Sequence, residues 1–161
     1  ALNYALTRPQ RLCGLILASP GGAPMSREEM DTFFKCFPSN NGCQAKDFLG
    51  RLYHKAPWYT PLIAGGVQKL FARPIINELL DSVTTDQAFT PDALATLKMP
   101  ILLVWGKSDR IMPPLQVEYF RCHLPSHAVI EEPADTGHCP HLDNPVAWTN
   151  RLVAFAQSIT A

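Results

Sequence analysis

Pro100-Ile-Leu-Leu-Val-Trp-Gly-Lys-Ser-Asp109, and further on His127-Ala-Val-Ile-Glu-Glu132 leading into Asp135-Thr-Gly-His138, decide how this chain is read. Ile101 to Trp105 is an unbroken apolar run, and Ala128 to Ile130 is a shorter one. Runs of that length bounded by turn residues suit strands buried inside a sheet. Asp109 and His138 each stand where such a strand has just ended, which is where open α/β sheets present ligand-binding groups. An acid and an imidazole delivered by successive strands, in that chain order, are two members of a Ser-His-Asp set. The third member is missing, because no Gly-x-Ser-x-Gly turn occurs in the 161 residues.

Outward from these segments the chain alternates. Ala1 to Thr7 reads as the end of a helix stopped by Arg8-Pro9, and Leu12 to Ser19 as a strand apolar on both faces. Pro20-Gly-Gly-Ala-Pro24 ends that strand. From about Met25 to Leu97 the pattern turns helical, opening on the capping box Ser26-Arg-Glu-Glu29. Helices are expected near 27–37, 45–54, 60–71 and 74–83, the last beginning on Pro74. Strand Ile101 to Trp105 follows, and Pro113-Pro114 opens a helix to about Cys122. Strand His127 to Glu131 is next. A final helix from Pro145 to Ser158 carries Val146, Leu152, Val153 and Phe155 on its apolar side, with Asp143 as its expected cap. Strands alternating with helices imply parallel βαβ units, here split by an all-helical insertion.

Composition narrows the function classes. Fourteen basic residues balance fourteen acidic ones, which gives no footprint for nucleic acid or an anionic membrane. No apolar stretch reaches the roughly 20 residues of a membrane span. Five cysteines without a C-x-x-C point to reduced thiols and a cytoplasmic setting, Cys36 and Cys43 being the pair placed to bridge.

Asp109 fits two roles, a functional acid or an Asx turn ahead of Ile111-Met112. His138 fits a general base or a loop histidine bonded to a carbonyl. The pair favours the functional roles, because an acid held against an imidazole fixes its tautomer. His141 is expected to pack below His138 or bond in its surroundings, and His54, His123 and His127 to lie on the surface or in helices. The histidines, cysteines and acids show no metal-ligand spacing, and no cofactor is expected. Gly21-Gly22 and Gly65-Gly66 read as turns. Trp58, Tyr59 and Phe71 could line an apolar substrate pocket, although aromatics in helices are more often core. Ser19 stands at a strand end but is followed by Pro20 where an oxyanion-hole amide would be needed, so it is rejected as nucleophile.

Ile101-Leu-Leu-Val-Trp-Gly-Lys-Ser-Asp-Arg-Ile-Met-Pro113 and Gly137-His-Cys-Pro-His-Leu-Asp-Asn-Pro145 resemble the acid and base segments of α/β-hydrolase-fold enzymes. Ala1-Leu-Asn-Tyr-Ala-Leu and Leu15-Ile-Leu-Ala-Ser-Pro-Gly-Gly22 are similar to the meta-cleavage-product hydrolases and, less closely, to esterases and lipases of the fold. The resemblance implies the C-terminal half of that fold. Residues 1–24 would be the end of the post-elbow helix and strand six, 25–97 a helical cap, and 98–161 strands seven and eight with the C-terminal helix. It makes Asp109 the triad acid and His138 the base, with the nucleophile upstream of Ala1.

Three functions follow from that reading. The first is a serine hydrolase cutting a small apolar ester or a C–C bond of a ketone. The second is an Asp-nucleophile dehalogenase or epoxide hydrolase of the same fold. The third is a non-catalytic fragment binding through its open sheet edge. Strand six would lack its strand-five neighbour, so the expected partners are the N-terminal half of the fold or a second copy in a homodimer.

Overall fold

Three parallel strands form the centre of the computed structural model, which describes residues 1–38 and 42–160. They are β1 (Leu15–Ala18), β2 (Ile101–Val104) and β3 (Val129–Glu131), in spatial order β1-β2-β3. Leu15 pairs with Ile101 and Ala18 with Val104, while Leu102 pairs with Val129 and Val104 with Glu131. The middle strand is buried at all four positions, as its unbroken apolar sequence requires. Side chains alternate across it. Ile101 and Leu103 join Leu15, Leu17, Leu94 and Phe120 on one face. Leu102 and Val104 meet Phe155, Trp148 and Ile159 on the other.

Nine helices surround the sheet among the described residues: α1 (Leu2–Thr7), α2 (Arg27–Phe34), α3 (Gly42–Leu52), α4 (Thr60–Phe71), α5 (Pro74–Asp81), α6 (Pro91–Ala95), α7 (Leu115–His123), α8 (Pro140–Asp143) and α9 (Pro145–Ser158). The described residues of the region 25–97 form helices and no strand. At its start the Ser26 hydroxyl accepts from the Glu29 amide at 3.2 Å while Glu29 Oε2 accepts from the Ser26 amide at 2.7 Å. Phe37, Phe48 and Phe71 pack ring to ring at its centre, with centroids 5.1–5.8 Å apart.

Several expectations are corrected. The first strand begins at Leu15 rather than Leu12, and Ala18 is exposed, so this strand is buried mainly on one face. Gly65 and Gly66 lie inside α4, on its exposed side, and are not turns. Asn144, not Asp143, caps α9: its side chain accepts from the Ala147 amide at 3.0 Å, because both Asp143 oxygens are engaged elsewhere. Val146 and Val153 of α9 are exposed, and it is Phe155 with Trp148 that covers the sheet. Cys36 and Cys43 form no disulfide. The intervening Ser39, Asn40 and Asn41 lie outside the described residues.

Candidate functional site

Two loops leave the carboxyl ends of β2 and β3 and are laced together by their backbones. The amides of Trp105, Lys107 and Ser108 donate to the carbonyls of Glu131, Pro133 and Thr136 at 2.8, 3.1 and 2.9 Å. Gly106 makes this approach possible. A methyl group there would fall inside contact distance of the Gly137 and Thr136 carbonyl oxygens.

Asp109 and His138 are thereby brought face to face. His138 Nδ1 lies 2.9 Å from Asp109 Oδ2. The other oxygen, Oδ1, accepts from the Ile111 and Met112 amides at 2.8 and 3.1 Å. One oxygen thus makes the Asx turn weighed from sequence, and the other faces the imidazole. The Asp109 side chain is 1% exposed and that of His138 23%. Burial pushes the carboxyl up, but the His138 hydrogen bond and charge, helped by the two amides, outweigh it and hold Asp109 below its ordinary range. A carboxylate only accepts, so the shared proton belongs to His138 Nδ1, which in the neutral imidazole leaves Nε2 as the acceptor.

The end of α3 reaches across both loops. Arg110 donates to the carbonyls of Gly50 and Tyr53, the latter at 3.0 Å. His54 Nδ1 lies 2.7 Å from Ser108 Oγ, and its Nε2 lies 3.5 Å from Asp135 Oδ1. Asp143 accepts from the His54 amide at 2.8 Å and from the Gly137 amide at 2.7 Å, and the Cys139 amide donates to Leu52 O at 3.1 Å. Cys139 itself is half-buried, and burial, then the nearby Asp109 and Asp143, push its thiol up to about 11.

A cleft of about 430 Å³ opens beside Asp109, between α2 and the acid loop, with Phe33, Thr32, Arg51 and Met112 on its walls. Phe71, Trp58 and Tyr59 are not on those walls. Phe71 belongs to the aromatic cluster with Phe37 and Phe48. Trp58 is 85% exposed, and Tyr59 packs edge-on against it. His141 is exposed on α8 rather than beneath His138, because that helix turns it outward. His54 is half-buried and tied to both loops, which corrects its reading as a plain surface or helix residue.

Sequence reasoning missed Arg110, Ser108, the roles of His54 and Asp143, and Gln116. The last is a fully buried amide on α7 whose Oε1 accepts from Ala23 N and whose Nε2 donates to Ala23 O, both at 3.1 Å. It pins the loop after β1 across 93 residues. Its one signal is a polar residue in the buried stripe Gln116-Val117-Phe120. Among the described residues no group of histidine, cysteine and acidic side chains could hold a metal ion, and no helix is long and apolar enough to cross a membrane.

Comparison with known proteins points one way. The profile described as the alpha/beta hydrolase family matches residues 1–152. Lipase 3 of Moraxella sp. (strain TA144) is 26% identical over 122 residues, covering 71% of this chain and 38% of that protein. Lipase 1 of Psychrobacter immobilis is 28% identical over 123 residues, covering 72% and 38%. Among solved structures, 2-hydroxy-6-oxo-6-phenylhexa-2,4-dienoate hydrolase from Rhodococcus sp. strain RHA1 matches with a TM-score of 0.80 at 18% identity, covering 97% of this chain and 59% of that one. The meta-cleavage product hydrolase CumD from Pseudomonas fluorescens IP01 matches at 0.79 and 15%, covering 98% and 60%. At these identities the structural likeness shows the fold. The chain spans 38% of the length of the two lipases and about three fifths of the two solved structures.

Proposed function

We propose that this chain, which belongs to the alpha/beta hydrolase family, supplies the acid and base of a Ser-His-Asp hydrolase whose serine lies upstream of Ala1. One observation carries the reading: His138 Nδ1 sits 2.9 Å from a buried Asp109 carboxylate that two backbone amides hold in place. That arrangement leaves Nε2 to take the proton of an incoming hydroxyl as it attacks the carbonyl carbon of an ester, or of a ketone, whose C–O or C–C bond to the leaving group then breaks. Asp109 then stabilises the imidazolium, which returns the proton to the leaving group. Asp109, at 1% side-chain exposure, stays ionised because the imidazole and amides favour its charge more than burial opposes it.

In this reading residues 25–97 are the cap over an apolar substrate, with Trp58, Tyr59 and Phe71 as its candidate substrate contacts. The partner of the chain is the N-terminal half of the same fold. The named activities of the relatives, lipases and meta-cleavage product hydrolases, support ester or C–C substrates. An Asp nucleophile in place of serine would need the same acid–base pair, and labelling separates the two.

The test is a fluorophosphonate probe on the native gene product, with its intact mass. The expected result is one covalent label on a serine upstream of Ala1, in a product longer than this chain by about 100 residues, a usual domain increment. His138→Ala should abolish labelling, and Asp109→Asn should slow it strongly. A folded native product that takes no label would overturn the serine reading.

A further inference from the structure

We infer that the segment Gly50–His54, with Arg110 and Asp143, is a clasp that sets the acid and base loops in register, and that Asp143 is its central positioning residue. The inference rests on the hydrolase reading above and adds to it Arg110 and Asp143, whose side chains bond to backbone atoms of other residues rather than to the Asp109 and His138 side chains.

Three backbones meet at this point. Gly106 of the acid loop lies against Gly137 of the base loop. On its other side Gly137 lies against the end of α3, where an added methyl group would come within 2.5 Å of the Tyr53 carbonyl carbon and 2.7 Å of the His54 nitrogen. Side chains then fasten the end of α3 to both loops. Arg110, the residue after the acid, holds the Gly50 and Tyr53 carbonyls. His54 reaches Ser108, the residue before the acid, and Asp135, three residues before His138.

Asp143 closes the arrangement. One oxygen takes the amide of Gly137, the residue before His138, and the other takes the amide of His54. Among the described residues no basic side chain pairs with this carboxylate, so the two amides answer its charge. Hydrogen bonds to an ionised acceptor are about twice as strong as neutral ones, and here they fix the peptide unit that leads into Gly137, one residue before the imidazole. The Cys139 amide, just beyond His138, donates to Leu52 O. His138 is thus tied to the end of α3 on both sides, through Asp143 before it and directly to Leu52 after it, and not to the sheet alone.

The chemistry of the carboxylate makes the test sharp. Asparagine has the same shape but one acceptor, so Asp143→Asn must turn an amide nitrogen toward one of the two donors. Asp143→Ala removes both contacts. The measurements use the native gene product: amide hydrogen exchange, the downfield Nδ1–H resonance of His138, and kcat and KM on a p-nitrophenyl ester. The expected result is graded. Protection at the Gly137 and His54 amides falls in Asp143→Asn and further in Asp143→Ala, while the Leu103 amide stays protected. The His138 resonance broadens or vanishes, and kcat falls about tenfold or more with KM little changed, since displacing a catalytic group by about 1 Å can remove two orders of magnitude.

Phe155→Leu lowers stability in the separate cluster on the other face of the sheet, beside Gly14 at the opposite end of the strands, and should leave the resonance and kcat in place. If Asp143→Ala does not fold, the isosteric Asp143→Asn carries the test. A folded Asp143 variant whose protection, resonance and kcat match the parent within twofold would overturn the clasp. A parent that shows no His138–Asp109 resonance and no ester turnover would overturn the hydrolase reading instead.

Discussion

A methyl group on Gly137 is the smallest change that tests whether the base loop is packed backbone on backbone. In Gly137→Ala the new carbon would lie 2.5 Å from the Tyr53 carbonyl carbon, 2.6 Å from Leu52 O and 2.7 Å from His54 N. Ordinary carbon contacts begin near 3.5 Å, so the loop and the end of α3 must part by about 1 Å. All three obstructing atoms are backbone, and none can rotate away. The movement stretches the bonds from Gly137 and His54 to Asp143 and from Cys139 to Leu52. Overpacking costs about 1–3 kcal/mol, and weakening hydrogen bonds to a charged acceptor adds about 1.5–3 kcal/mol. The stiffer unfolded chain returns about 0.4–1 kcal/mol. The net is a loss of about 3 kcal/mol, or a Tm lower by about 6–12 °C for a protein of this size. Thermal unfolding followed by circular dichroism measures it. Gly65→Ala is the matched control: nothing lies within 4 Å of its added carbon, on the exposed side of α4. There the same substitution should stabilise by about 0.5–1 kcal/mol. A Tm for Gly137→Ala within 2 °C of the parent would refute the packing argument.

Three further outcomes are expected. Ser19 is 4% exposed, has a φ of 40° and carries a buried hydroxyl without a hydrogen-bond partner among the described residues. Ser19→Gly should therefore raise the urea midpoint by the equivalent of about 1–2 kcal/mol, and a lowered midpoint would count against it. Cys139, with its thiol pushed up to about 11 by burial, should resist iodoacetamide at pH 8 while the exposed Cys13 and Cys122 react, and should react only on unfolding. Equal rates would contradict this. The Asp109 carboxyl, lowered despite burial by His138 and the two amides, binds its proton less readily folded than unfolded. Its contribution is therefore complete above about pH 4 and is lost as pH falls below that. Between pH 5 and 2 the parent should lose more stability than Asp109→Asn, and parallel curves would refute the assignment.

The sheet was legible because its middle strand is covered on both faces and must be apolar throughout, as Ile101 to Val104 are. The pairing of Asp109 with His138 was legible because strand ends, not detailed contacts, place them. Much of the surrounding site was hidden for a physical reason: its contacts run between segments distant in sequence, and many end on backbone atoms. Arg110 reaches the carbonyls of Gly50 and Tyr53, and no residue type marks a carbonyl as a partner. Asp143 precedes a helix, where an acidic cap is the economical expectation, and only the fold shows its oxygens turned to Gly137 and His54. Gln116 could have been suspected, since an amide in a buried stripe must find partners. Gly65 and Gly66 misled because glycine pairs favour turns, and the apolar periodicity of α4 overrode them.

The stack of Gly106, Gly137 and the end of α3 has a consequence for how such a protein can change over time. Contact there is made by main-chain atoms, so replacing the outward side chains of the helical region leaves the imidazole and carboxylate where they are. In the proposed hydrolase, substrate preference can drift by substitutions at candidate contacts such as Trp58 or Tyr59 while the geometry of the His138–Asp109 pair is inherited unaltered. Only the two glycines and the few side chains that fasten them are denied that freedom.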